Sequence, residues 1–267
     1  MNYQNLIEEV YNEVMSTNPR GKVADYIPEL ARVDGDKFGI ALVDLEGNTF
    51  GAGDFEEPFS IQSISKVYTL TMVASIFKNK LWSRVNVEPS GDPFNSIAQL
   101  EFEKGIPRNP FINAGALVIT DALTSKFENP IAEISKFIDE LNGETCININ
   151  QEVMDSELNH SERNTALGYF LKAYDNFEIC VSSCLHVWVN CRNNQSIKRS
   201  IPKISPIELV NKFIEVVLEV FVGDHVVYSQ EFPLQIADCF MYPSERVVGG
   251  IFSGDNREVC FYDMLKL

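Results

Sequence analysis

Apolar and polar positions follow two periods along this chain, and the changes from one to the other mark out its elements. Leu6, Ile7, Val10, Tyr11, Val14 and Met15 recur at helical spacing among acidic neighbours, which predicts an amphipathic N-terminal helix. Residues 38–44 are rich in β-formers, Glu46-Gly47-Asn48 supplies a turn and residues 49–53 return, so a β-hairpin is predicted there. Residues 59–61 read as a third short strand. That strand feeds a helix beginning near Ser63 and carrying Val67, Leu70, Thr71, Ala74 and Phe77.

Between Val87 and Pro110 repeated Pro and Gly predict long loops around a short helical piece at residues 94–103. Loops of that length usually line something. Asn113 precedes an apolar helix over 114–123 as an N-cap would, and Asn129-Pro130 opens another helix to about Leu141. Residues 150–164 are polar, so Glu157 is most simply a solvated acid, and Asn164 falls in the first turn of a helix running to Ala173. Residues 180–190 read as a short helix and 192–203 as a polar linker. Ser205-Pro206-Ile207-Glu208 is a capping box opening a helix to Val222, and residues 247–261 alternate loosely around Gly254-Asp255-Asn256 as a second hairpin.

Strands near both ends with helices between them predict an α/β (α+β) fold: one antiparallel sheet flanked by helices, with a helical subdomain. A single domain over residues 1–267 follows, its sheet drawn from about 21–62 and 245–264 and its helical region from about 63–222.

Composition narrows the function classes. A formal net charge of −16 opposes binding to nucleic acid or to an anionic membrane surface, which needs concentrated Lys and Arg. The longest strongly apolar run, residues 213–222, is too short for a membrane span and contains Glu215 and Glu219, and the N-terminus has no signal-peptide pattern. A cytoplasmic protein is the expectation. Cys146, Cys180, Cys184, Cys191, Cys239 and Cys260 are irregularly spaced, which suits reduced thiols. Cys180, Cys184, His186 and Cys191 lack the two-residue gap of most zinc sites, so no metal is expected.

The candidate chemistry lies at Ser63-Ile64-Ser65-Lys66. If Ser63 opens a helix, Lys66 follows one turn later on nearly the same face, at the positive end of the helix dipole. A lysine whose ionisation is depressed by burial and positive potential can take the serine proton, making a nucleophile for acyl transfer. The spacing alone is common: Ser75 to Lys78 and Ser200 to Lys203 share it. A capping serine with a solvated lysine is the simpler reading of each, and Ser63 is set apart by its strand-to-helix junction.

Longer blocks carry a resemblance. Residues 21–28 (GKVADYIP), 59–66 (FSIQSISK), 88–91 (EPSG) and 105–115 (GIPRNPFINAG) together closely resemble the bacterial-type glutaminases, over about residues 21–177. Those enzymes are serine-dependent and β-lactamase-like, and they hydrolyse L-glutamine to L-glutamate and ammonia without a metal or organic cofactor. The resemblance implies that Ser63 attacks the carboxamide, Lys66 accepts its proton and water resolves the glutamyl ester. It further implies a substrate pocket of Tyr26, Gln62, Ser63, Asn113, Glu157, Asn164, Tyr242 and Val247, with Glu157 accepting the substrate ammonium, Tyr242 shuttling a proton, and self-association into a homo-oligomer.

The C-terminal third departs from that pattern. Trp188 stands where the family has a tyrosine a dozen residues after the Asn-Phe pair, here Asn176-Phe177, and an indole cannot act as acid or base. Phe240 replaces a glycine in Cys239-Phe240-Met241-Tyr242, and Arg246-Val247-Val248-Gly249-Gly250 only echoes the family's final glycine-rich strand. A loop is missing between the two. Two further readings are therefore a weakened relative that binds glutamine or a partner protein, and an amidase or β-lactam-type hydrolase with a changed substrate.

Overall fold

The computed structural model describes residues 2–16, 21–44, 47–142 and 147–196. The helix and hairpin expected after residue 205, with Tyr242 and Val247, lie outside the described residues.

Helix α1, Tyr3–Ser16, lays its apolar stripe on a two-stranded antiparallel hairpin of β1, Gly39–Val43, and β2, Thr49–Gly53. Ile7 is fully buried beneath it, Tyr11 stacks on Phe38 at 5.5 Å and Gln4 donates to the Gly51 carbonyl at 3.1 Å. Gly53 closes the hairpin at φ +67°, where a side chain would also meet the Phe38 carbonyl oxygen. Helix α2, Pro28–Ala31, follows the loop that carries Tyr26 and starts with proline, whose missing N–H costs nothing at that position.

The third strand expected at residues 59–61 does not form, and only Ser60 sits in an isolated β-bridge. The chain turns too soon for an extended run: Ile61 is already in the right-handed helical region and Gln62 takes φ +45°. A 3₁₀ turn, Gln62–Ile64, leads into α3, Ser65–Phe77, so Ser63 sits in the turn before the helix proper.

After a 3₁₀ segment, Lys78–Ser83, and α4, Ile97–Phe102, comes α5, Asn113–Lys126, the centre of the helical region. Every residue from Ala114 to Leu123 is buried, because α3, α6 (Pro130–Asn142), α8 (Glu162–Ala173) and α9 (Val181–Arg192) surround α5. Fully buried Leu117, Leu123, Leu167 and Leu171 each contribute about 1.5–3 kcal/mol on leaving water. Asn113 does not cap α5 with its side chain. Ile112 takes the extended cap position, which makes Asn113 the first helical residue and frees its amide for the site.

Two further expectations are corrected. The polar stretch after residue 150 forms α7, Gln151–Asn159, capped by the Asn150 side chain, and Glu157 on it is 4% exposed and no solvated acid. The linker expected from residue 192 instead opens with Arg192 as the last residue of α9, buried at 6% exposure, and Asn194–Ser196 forms β4. Strand β4 pairs antiparallel with β3, Ile147–Ile149. Tertiary pairing overrode local polarity in both places.

Buried polar contacts fix α9. Asp121 on α5 has no exposure; it accepts from the Glu178 and Ile179 amides at 3.0–3.1 Å and from Arg84 Nη2 at 2.6 Å. Asn176 donates back to the Arg84 and Gly105 carbonyls at 2.8 and 2.9 Å. The turn that starts α9, and with it the path to Arg192, is thereby tied to the core.

Candidate active site

Ser63 is presented by a strained turn. Gln62 holds a left-handed conformation that costs a residue with a side chain roughly 1–2 kcal/mol, so its surroundings must over-determine it. They do so through its amide: Nε2 donates to Ser60 Oγ at 2.9 Å and to Asn193 Oδ1 at 3.2 Å, while Oε1 accepts from Tyr26 Oη at 2.8 Å and from Arg192 Nη2 at 2.5 Å. Ser65 Oγ donates to the Gln62 carbonyl at 2.6 Å and closes the turn.

Lys66, in the first turn of α3, is 4% exposed. Its Nζ donates to the Phe111 carbonyl at 2.6 Å and to Asn113 Oδ1 at 2.9 Å, and lies 5.6 Å from the centre of the Phe94 ring. Burial, then the positive charge of Arg192, brings its pKa down to about 7. A neutral amine has two N–H groups and one lone pair. The two carbonyl acceptors match those N–H groups, which leaves the lone pair to take a proton.

Asn113 in turn donates through Nδ2 to Asn164 Oδ1 at 3.1 Å. Glu157 is paired: its Oε1 takes the Arg192 Nε–H and its Oε2 takes Asn193 Nδ2 at 2.8 Å. Breaking a buried pair of this kind leaves an uncompensated charge, which is strongly destabilising. The Arg192 guanidinium lies 4.7 Å from the Trp188 ring centre and donates through Nη1 to Ser63 Oγ at 3.3 Å. Asn193 is fully buried, bonded also to the Val189 carbonyl and to the Ser60 hydroxyl.

Of the residues singled out from sequence, Tyr26, Gln62, Ser63 and Glu157 thus meet through Arg192, and Lys66, Asn113 and Asn164 form a second linked set beside them. Tyr242 and Val247 fall outside the described residues. Arg192, Asn193 and Ser60 were missed. The available signal was the single Lys or Arg of α9, four residues after Trp188, spacing that puts the two on one face.

Among the described residues no group of three or more His, Cys, Asp or Glu converges as a metal site would require, and no helix is long and apolar enough to cross a membrane. Cys184 and Cys191 are buried and Cys180 is exposed.

A family model described as Glutaminase matches residues 21–209. A glutaminase of Aeromonas hydrophila subsp. hydrophila is 49% identical over 186 residues, which cover 69% of this chain and 61% of that protein. The chain thus spans about three fifths of the length of the curated relatives it matches. Among solved structures, a probable glutaminase ybaS superposes with a TM-score of 0.67 at 30% identity, covering 73% of this chain and 63% of that one. A Bacillus subtilis probable glutaminase gives 0.67 at 26% identity, covering 83% and 78%. These neighbours share the α/β, β-lactamase-like fold expected from the sequence. With more than half of its length matched by the family model, the chain belongs to the glutaminase family.

Proposed function

We propose that this protein hydrolyses L-glutamine to L-glutamate and ammonia through an acyl-enzyme on Ser63. The observation that carries the reading is the buried Lys66 amine, one turn after a serine displayed on a strained elbow, in a chain of the glutaminase family.

Ser63 Oγ attacks the carboxamide carbon while its proton passes to the Lys66 lone pair. The negative charge moves to the former carbonyl oxygen, which the Ser63 backbone N–H stabilises. The C–N bond then breaks, the lysine proton goes to the leaving nitrogen and ammonia departs. Water adds to the glutamyl ester and gives a proton to Lys66; the ester C–O bond breaks, Ser63 recovers its proton and glutamate leaves. In this reading Glu157 accepts the substrate ammonium, and Tyr26, Gln62, Asn113 and Asn164 supply the amide and hydroxyl contacts of the pocket. Tyr242 serves as a proton shuttle and Val247 as part of the pocket wall. The protein works in the cytoplasm as a homo-oligomer.

The test is ammonia and glutamate release from L-glutamine by the full chain beside Ser63→Ala, across a pH series, with mass-spectrometric detection of Ser63 acylation by diazo-oxo-norleucine. Turnover and labelling by the wild type and neither by the variant support the reading. Thermal stabilisation by glutamine without ammonia or label would replace catalysis with binding.

A further inference from the structure

We propose that Arg192 is a specificity-determining residue of the Ser63 site: its guanidinium fills the space between the serine and Glu157, and a substrate reaches Ser63 by carrying a cationic group that replaces the guanidinium on Glu157. The inference rests on the hydrolytic reading above and names the residue that sets which amides gain entry.

One planar group touches both ends of the pocket. Nη1 reaches Ser63 Oγ at 3.3 Å, Nη2 reaches Gln62 Oε1 at 2.5 Å and Nε is bonded to Glu157. Atoms that share a single guanidinium leave no room for a second molecule between them, yet a bound glutamine must lie there, with its carboxamide at the serine and its ammonium at the acid. The guanidinium lies over the Trp188 ring at 4.7 Å from its centre, and Arg192 is 6% exposed. Both Glu157 oxygens already accept hydrogen bonds, from Arg192 and Asn193.

The charges explain the choice of substrate. Glu157 is deeply buried, and Arg192 supplies it with a cationic partner from within the chain. The α-ammonium of an amino acid supplies the same charge, so it can exchange with the guanidinium. An amide without that ammonium, such as glutaramate or N-acetylglutamine, would strand Glu157 and is refused. The exchange has a consequence for affinity: binding is weakened by the fraction of molecules in which Arg192 has withdrawn.

The experiment compares full-length wild type, Arg192→Ala and Arg192→Lys, at a pH above the Lys66 transition of each. For Arg192→Ala the KM for L-glutamine is expected to fall by about tenfold, so that kcat/KM rises, because the internal competitor is gone. Methylguanidinium, which refills the vacated space, should inhibit this variant competitively and leave the wild type untouched. Lysine keeps a charge for Glu157 but lacks the fork that also spans Ser63 and Gln62, so Arg192→Lys should lower KM by a smaller factor, and it carries the test if the alanine variant fails to fold. An unchanged or raised KM with a loss of kcat, activation of Arg192→Ala by methylguanidinium, or an Arg192→Lys variant with wild-type KM would overturn the proposal. If no form releases ammonia, the hydrolytic reading fails separately, and calorimetry with methylguanidinium still decides the gate: binding to Arg192→Ala alone supports it, and binding to both proteins or to neither overturns it.

Discussion

The Lys66 amine donates to the Asn113 side-chain oxygen across 2.9 Å, joining the first turns of α3 and α5, which are 47 residues apart in sequence. An amide there accepts a hydrogen bond without bringing a counter-charge, so it orients the amine and leaves burial free to depress its ionisation. Asn113→Asp would place a carboxylate at the same distance and favour the ammonium form. The rising limb of the pH–kcat/KM profile should then move up by about one pH unit or more, as read from steady-state ammonia release. An unmoved limb would remove Lys66 from the role of base.

The wild-type profile itself should rise through about pH 7, where the buried Lys66 gives up its proton. Arg192 lowers that pKa, so Arg192→Ala should move the rise to higher pH. Stability carries the same sign. Between about 7 and the ordinary lysine value of 10.5 the unfolded chain holds a proton on Lys66 that the folded chain has released, so the Lys66 contribution makes unfolding harder as pH increases across that window. Urea titrations of wild type and Lys66→Met should therefore differ most below pH 7, where the wild type bears a buried charge, and converge towards pH 10.

Among the described residues Asp121 is hydrogen-bonded to no candidate site residue, yet it holds the turn from which α9 leads to Trp188 and Arg192. Asp121→Ala leaves Arg84 and two backbone amides without their buried acceptor and is expected to cost about 3–5 kcal/mol. Thermal unfolding should show a Tm lowered by on the order of 10 °C. A change below about 1 kcal/mol would mean that the turn is held otherwise.

Gly115 lies in the first turn of α5, where alanine would normally favour the helix. A β-carbon there would come within 1.9 Å of the Asn109 carbonyl oxygen, a backbone atom. Gly115→Ala is therefore expected to destabilise by about 1–3 kcal/mol in chemical denaturation. Because Asn109 belongs to the loop that presents the Phe111 carbonyl to Lys66, activity should fall with stability. A stabilised variant would contradict the close approach of loop and helix.

Periodicity alone was enough to foresee the amphipathic first helix, the hairpin of β1 and β2 and the apolar helices α3 and α5, because their burial is written into residues that neighbour one another along the chain. The junction that puts Ser63 just before α3 and Lys66 in its first turn was legible too, since local spacing sets it. What only the tertiary structure decided are the fates of polar side chains whose partners lie far off in sequence. Glu157 reads as a solvated acid in its own segment and is buried because Arg192 and Asn193, about 35 residues later, meet it with a cation and an amide. Asn113 reads as a cap and instead serves Lys66 and Asn164. Arg192 reads as the start of a linker, although α9 carries it onto Trp188 and into the site. A local pattern records whether a residue prefers water; whether a charge can leave water depends on a partner that only the folded chain brings within reach.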